Sequence, residues 1–281
     1  MRIWLRIPSN NALHAFLSIG NPYNAKIMMA CGLDTLPDRR TFDRRFEAAS
    51  LDLRSRIGSM GELFVNEKFI DPYVVSVDST LLKAKGHVWH RSSMEKGFVY
   101  SGTDTDARWG KSRTKGWVFG YKLHVVSSTG SLIVPVSADF TTANIPDSKV
   151  YGRVTASLRG VRYVDGDQGY DVDDLYELSR ERGFDLVCPI ARYENTHADR
   201  VELVFFYESE LGRLVYSWRS KSIEPLFEQI KDVFGIDPLP TRGFDKAKVF
   251  VLLSVLLYQL TVYYNGQMGR SPRELKHMLG S

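Results

Sequence analysis

VRYVDGDQGYDVDDLYELSRERGFDLVCPI, residues Val161 to Ile190, is the stretch from which the fold is read. Val161, Tyr163 and Val164 form a short apolar strand pattern, and Gly166 and Gly169 then allow sharp turns. Asp171 to Arg182 follow with Val172, Leu175, Tyr176 and Leu178 near helical spacing, and Gly183 ends that helix. Phe184 to Val187 read as a second strand. Strand, helix, strand is the pattern of a parallel α/β sheet, and such sheets gather ligands at the carboxyl ends of their strands, where Asp165 and Asp167 stand. The same acids are also ordinary turn formers and helix caps, so alone they define no site.

Working outward, Tyr73 to Ser79 (YVVSVDS) is β-branched, apolar and closes on Asp78, a strand that delivers a carboxylate near its end. Trp117 to Ser127 and Ser131 to Phe140 are two further β-rich runs joined by a short connection holding Gly130, a hairpin signal. Ile145 to Leu158 reads as a helix opened by Pro146 and Asp147. Three strands, helix, strand, helix, strand is the order of a mixed sheet of five strands with helices on its faces. In it Asp78 and Asp167 come close together.

The ends of the chain read differently. Residues 1–70 carry little strand signal, and Leu13, Phe16, Leu17, Ile57, Met60, Leu63 and Phe64 recur at helical spacing, which predicts a helical N-terminal domain. Within it LPDRRTFDRRF sets Arg40 and Arg44 on one side of a helix beside Arg39 and Arg45. Phosphate contact and pairing with Asp38, Asp43 and Glu47 explain these arginines equally well. Residues 71–281 form the second domain, in which Val201 to Tyr207 and Arg213 to Tyr216 read as a small hairpin within a short β insertion at about 191–215. SIEPLFEQIKDVFGI then gives a helix with Ile223, Leu226, Phe227, Ile230 and Phe234 on one face and Glu224, Glu228 and Lys231 on its flank. Pro225 fits only a first turn, which places the start near Ser222. Val249 to Leu260 is apolar but short for a membrane span and reads as a buried helix, so no membrane role is expected.

Composition narrows the function. The 281 residues, 43% hydrophobic, suffice for a sizeable core, and a net charge of +4 does not by itself call for nucleic acid. Its distribution does: Ser79 to Lys122 holds nine Lys or Arg, among them Lys111, Arg113, Lys115 and Lys122, against three acids. Interrupted by Gly86, Gly97, Gly102, Gly110 and Gly116, it reads as a long basic loop able to follow a phosphate backbone, or as a solvated loop. Cys31 and Cys188 stand alone, and MRIWLRIPSNN lacks the apolar core of a signal peptide, which points to a reducing compartment. His87 and His90 have the spacing of a metal pair without further His or Cys nearby, so a zinc site is not expected.

Asp78, Asp167 and Glu224 together suggest a carboxylate site for two hard divalent cations, the arrangement of two-metal phosphoryl transfer. VDST around Asp78, DARWGKSRTKGWVFGYKLH from Asp106 to His124, GDQGYD around Asp167 and the series Tyr216, Arg219, Glu224, Lys231 ahead of an apolar helix resemble the acidic-triad (DDE) transposases of prokaryotic insertion sequences. The resemblance implies an RNase H-like catalytic domain and two Mg²⁺ ions, with Mn²⁺ as a substitute, on Asp78, Asp167 and Glu224. It implies DNA contacts from Tyr216, Arg219 and Lys231 near the cleaved phosphate. It further implies double-stranded DNA as partner, both terminal inverted repeats and target, a dimer on that DNA, and a place at the nucleoid in the cytoplasm. Two departures stand out. Four residues separate Arg219 from Glu224 where the family usually has three, which would turn Arg219 away on a continuous helix; either the helix starts after Arg219, as Pro225 favours, or the role moves to Lys221, and Glu228 is the other third ligand. The span from Asp167 to Glu224 is also too short for a large β-rich insertion. Rival readings are a transposase-derived DNA-binding protein without mobility, a structure-selective nuclease and, least in keeping with the basic segment, a carbohydrate hydrolase.

Overall fold

Four helices precede the first strand in the computed structural model, which describes residues 1–112, 116–190, 198–272, 274 and 275. Ser9 caps α1 (Asn10–Ser18), Asn21 caps α2 (Pro22–Ala30) and Asp38 caps α3 (Arg39–Ala48), each side chain accepting from a backbone N–H of the first turn. Next come α4 (Leu53–Asn66), β1 (Val74–Lys83), α5 (Arg91–Glu95), β2 (Arg108–Ser112), β3 (Gly116–Ser128) and β4 (Pro135–Thr142). The chain continues through α6 (Ser148–Val154), β5 (Tyr163–Asp165), α7 (Asp173–Glu181), β6 (Asp185–Val187), α8 (Ala198–Glu208), α9 (Glu210–Phe234) and α10 (Phe244–Gln267).

The sheet runs β2–β3–β1–β5–β6, with β4 also paired to β3. β3 is long enough to hold two partners on one edge, β2 along Gly116–Gly120 and β4 along Tyr121–Ser127, while β1 takes the other edge. β1, β5 and β6 are parallel and β3 is antiparallel to its neighbours. The mixed α/β fold expected from the RNase H-like resemblance is therefore present as the path β4–β3–β1–β5–β6, and β2 makes a sixth strand where five were expected. That strand and α5 lie in the segment read as a long basic loop; short strands rich in Gly and charge carry too weak an alternation to announce themselves.

The helices bring three corrections. The hairpin expected from Val201 to Tyr216 is absent, and the described part of the expected β insertion is helical; residues 191–197 lie outside the described residues. Phe206 and Tyr207 pack against Tyr163, Val187 and Val215, and Leu203, three and four residues before them, packs on the main core, so a run that alternates poorly as a strand buries well as a helix. Ser209, whose Oγ accepts from Gly212 N at 3.0 Å, separates α8 from α9. The helix expected to start near Ser222 instead runs from Glu210 with Pro225 inside it. Proline there deprives the Lys221 carbonyl of its donor, a cost the surrounding packing of Ile223, Leu226 and Phe227 offsets.

The apolar run at Val249 to Leu260 is part of α10. That helix is long and apolar enough to cross a membrane by length and composition, and most of its apolar window is buried in the protein. Gln259 within it donates to Ile57 O at 3.0 Å and Pro135 O at 2.8 Å, tying α10 to α4 and β4. One core joins Ile57 and Phe64 of α4, Val75 and Val77 of β1, Ile223 and Ile230 of α9, and Val251 and Val255 of α10. The last helix of the N-terminal stretch thus packs directly on the sheet.

Candidate active site

β1 and β5 are parallel in the register Ser76 to Asp165, so Asp78, still within β1, and Asp167, just past the end of β5, each two residues on, come near one another. Asp167 also caps the 3₁₀ turn Gln168–Tyr170, its Oδ1 accepting from Gly169 N at 2.8 Å. The turn-former reading and the site reading of this residue hold together. Gly166 and Gly169 serve by smallness: a Cβ would lie 2.8 Å from the Tyr170 ring at the first and 2.9 Å from Asp167 Oδ1 at the second, while neither has positive φ.

On the same face of β1, Ser76 and Thr80 flank Asp78 and all three meet α9. Ser76 Oγ donates to Asp165 Oδ2 at 2.8 Å and lies 2.8 Å from Ser222 Oγ, while Lys231 Nζ donates to Thr80 Oγ1. Between these two anchors Arg219 pairs with Asp78 and with Glu224, at 3.1 Å to the latter's Oε1. Neither Ser76 nor Ser222 was singled out from sequence. A serine two residues before Asp78 in an otherwise apolar strand is the signal that could have marked the first; Ser222 has none beyond its apolar flank.

Electrostatics centre on the same guanidinium. Burial works against the charge of Arg219, but Asp78, Asp167, Tyr216 and Glu224 outweigh it and hold its pKa above the usual value. Asp78 is 9% exposed. Burial pushes its carboxyl up to about 7, against the pull of Arg219 and the Ser79 N–H and with added repulsion from Asp167 and Asp147. Asp165, wholly buried, is likewise held well above the usual carboxylate range, first by burial. These are acids whose ionised form is short of positive charge.

The other candidate residues divide. Tyr216 is half-buried on α9 against Tyr207, at 5.4 Å between rings. Lys111 is exposed on β2, and Arg40 and Arg44 are exposed on α3. Lys122, only 12% exposed, is tied to Ile145 O and Asp147 Oδ1, both at 2.9 Å, and so serves the fold around α6 rather than an open surface. Glu228 is exposed on α9 one turn beyond Glu224, and it is Glu224 that pairs with Arg219. Arg113 and Lys115 lie outside the described residues. Asp147, at the start of α6, was read only as a helix opener; its charge reaches Asp78 and His124.

Asp78, Asp167 and Glu224 supply carboxylate oxygens of the kind hard divalent cations take. Among the described residues no group of three or more His, Cys, Asp or Glu side chains is gathered as a ready metal cage. The donor chemistry fits a divalent ion, with the Arg219 cation lying between two of the carboxylates.

A sequence model of the transposase DDE domain family matches residues 70–260. No curated protein sequence matches the chain. Among solved structures, piggyBac transposase in a synaptic complex with hairpin DNA superposes with a TM-score of 0.44 at 9% identity, covering 74% of this chain and 50% of that one. The Drosophila P element transposase strand transfer complex superposes with a TM-score of 0.21 at 12% identity, covering 97% of this chain and 63% of that one. The chain thus spans about half the length of the piggyBac chain.

Proposed function

Since the chain belongs to the transposase DDE domain family, we propose that it is a DNA transposase that cuts duplex DNA at the ends of a mobile element and joins the exposed 3′ hydroxyls to target DNA. The observation that carries the reading is Arg219, a single guanidinium paired with Asp78 from β1 and Glu224 from α9, with Asp167 beside them. A buried carboxylate and two more accessible ones sharing one guanidinium suit a site that exchanges that cation for others.

In this reading Asp78, Asp167 and Glu224 are the metal ligands. Two Mg²⁺ ions, or Mn²⁺ in their place, would supply activation of the attacking hydroxyl and stabilisation of the leaving oxygen. Arg219, released from the carboxylates, presents its planar fork to a phosphate near the cleaved bond. The phenol of Tyr216 and the ammonium of Lys231 lie on the same helix, one and three turns away, and contact the same strand. Lys111 on β2 extends the basic track, Arg113 and Lys115 are assigned DNA contacts from the sequence alone, and Lys122 contributes to the potential from within. Arg40 and Arg44 on α3 hold duplex DNA farther out, with residues 1–70 acting in DNA binding and 71–281 in catalysis. Recognition of two inverted-repeat ends makes the working form a dimer on DNA, at the nucleoid.

The test is incubation of the purified protein with labelled duplex carrying the DNA that flanks its coding region, in Mg²⁺ or Mn²⁺, beside Asp167→Asn. Metal-dependent nicking at the ends and joining to a target plasmid, both lost in the variant while DNA binding stays, is the expected result. Cleavage that survives in Asp167→Asn removes that residue from the ligand set. Cleavage without joining marks a nuclease, and sequence-specific binding without either reaction marks a DNA-binding derivative that has lost mobility.

A further inference from the structure

The residues that chemistry at the carboxylates leaves unused gather at the far end of β3. Trp117 lies eight residues from Val125, the partner of Asp78, or roughly 25 Å along the strand. There β2 and the start of β3 form a two-stranded ribbon in which Trp109 faces Phe119 and Lys111 faces Trp117. Cross-strand partners share a face, so Trp109, Lys111 and Trp117 stand together on one side. Phe119 on that side is buried in the main core, so the face is anchored toward β1 and open toward Trp117, and the opposite side is anchored as well. Val118 packs with Leu81 and Ala143, and Gly110 lies so close to the Ala143 backbone that a Cβ would be 2.4 Å from its carbonyl oxygen.

The Trp109–Trp117 face is one wall of an open cleft of about 820 Å³, closed on its other side by His90 and by Arg91, Met94 and Glu95 of α5. Hydrogen bonds fix its frame. Trp89 Nε1 donates to Phe98 O at 2.8 Å, Trp109 Nε1 donates to Trp89 O at 2.9 Å, and the Trp109 ring lies 5.5 Å from that of Phe119. Trp109 is thereby spent on structure. Trp117 is not, and its indole is 65% exposed beside an exposed lysine. A ring of that size left in water forgoes a large hydrophobic gain, and a neighbouring patch of exposed Phe98 and Tyr100 adds to it.

What covers such a surface must bring a flat apolar face and negative charge together, because Arg91 in the lining and Lys111 beside Trp117 stand against a single acid among the described lining residues, Glu95, which is 3.9 Å from Arg91. A second copy of the chain would bring the same positive charge and be repelled. Duplex DNA offers the charge but keeps its base faces stacked. An unpaired nucleotide offers both.

We propose that the cleft between α5 and the β2–β3 ribbon binds an unpaired nucleotide of DNA, whose base stacks on Trp117 while the adjoining phosphates meet Lys111 and Arg91. The site rests on the DNA-binding reading above and adds to it a preference for single-stranded over duplex ends. Its cost to the fold is small, since Trp117 is exposed and Trp109 keeps the frame.

The experiment measures anisotropy of a labelled blunt duplex and of the same duplex with a short single-stranded overhang, for the wild-type chain, Trp117→Ala and Trp117→Phe, without divalent metal so that no cleavage intervenes. We expect the wild type to prefer the overhang, and Trp117→Ala to lose roughly 5- to 100-fold in overhang affinity while blunt-duplex affinity is unchanged. Trp117→Phe keeps most of the preference, and 2-aminopurine in the overhang is quenched by wild type and not by Trp117→Ala. Equal overhang affinity in wild type and Trp117→Ala overturns the site while leaving the DNA reading intact. A change in sedimentation from dimer to monomer in Trp117→Ala, with DNA preference unaltered, assigns the face to a second copy and overturns it too. Binding of neither DNA by the wild type rejects both the site and the DNA reading.

Discussion

Arg219 is ion-paired with Asp78 across the interface of α9 and β1, and the same guanidinium reaches Glu224 at 3.1 Å, five residues farther along a continuous helix. Five residues turn a helix by about 140° beyond a full circle. The contact forms because a long arginine side chain and a glutamate both bend toward one buried aspartate.

That pairing makes Arg219 a competitor for any cation at the carboxylates. We expect Arg219→Ala, free of DNA, to bind Mn²⁺ roughly tenfold more tightly than wild type, as removal of an adjacent like charge is worth about a pKa unit or more in a carboxylate site. Calorimetric titration of both proteins with Mn²⁺ measures this. Equal affinities would mean that the guanidinium and the ion occupy different space.

Glu224 and Glu228 lie a turn apart on α9, and Arg219 pairs with Glu224. Glu224→Ala should lower strand cleavage by roughly a hundredfold or more, since even outer partners of metal ligands are worth 10- to 100-fold. Glu228→Ala should cleave at close to the wild-type rate. Gel assays of the two variants on one end substrate decide it, and the reverse order would move the third carboxylate one turn along the helix.

His124 is 1% exposed behind the sheet, with Nε2 2.9 Å from Thr141 Oγ1. Burial lowers its pKa to about 4, against the pull of Asp147 and with the push of Lys122. In the unfolded chain the imidazole takes its proton near 6.5, earlier than in the fold, so the stabilisation is complete above 6.5 and is lost as pH falls from 6.5 to about 4. We expect His124→Gln to flatten that fall by about 3 kcal/mol between pH 7 and pH 4, read by urea unfolding at both pH values. An unchanged pH slope would show that another group carries the acid sensitivity.

Gly61 is where α4 touches the sheet. A Cβ there would lie 2.4 Å from Val136 O, and a backbone carbonyl cannot swing aside as a side chain can. Gly61→Ala should cost about 2–3 kcal/mol despite alanine's better helix propensity, by forcing α4 off β4. Denaturant titration gives the number; a neutral or stabilising effect would mean that the helix can shift at no cost.

Much of the sheet was legible because its strands carry their own signals. YVVSVDS, GWVFGYKLHVVSS and VRYVDGDQGYD are apolar or alternating runs that end on turns, and they fold as β1, β3 and β5. The short β2 was not legible, since Arg108 to Ser112 holds a glycine and two cations in five residues and is a strand only because β3 pairs with it. Nor was α8, whose aromatic run serves a strand or a helix equally until Tyr163, Val187 and Val215 offer it a surface. Pro225 misled for a related reason. Propensity forbids proline inside a helix, and burial of one apolar face across Ile223 to Phe234 overrode it.

By itself the sequence determined the family and the parallel strand–helix–strand unit, and it put forward Asp78, Asp167 and Glu224 as candidate ligands, because motifs and periodicity are local properties written in residue order. Only the tertiary structure decided that Arg219 stands between Asp78 and Glu224, that Ser76, Asp165 and Ser222 fasten α9 to β1 and β5, and that Lys122 is committed to Asp147. Those contacts depend on helix phase, strand register and side-chain reach between residues far apart in the chain. No local pattern encodes them, since each is chosen by what the folded neighbours leave unpaired.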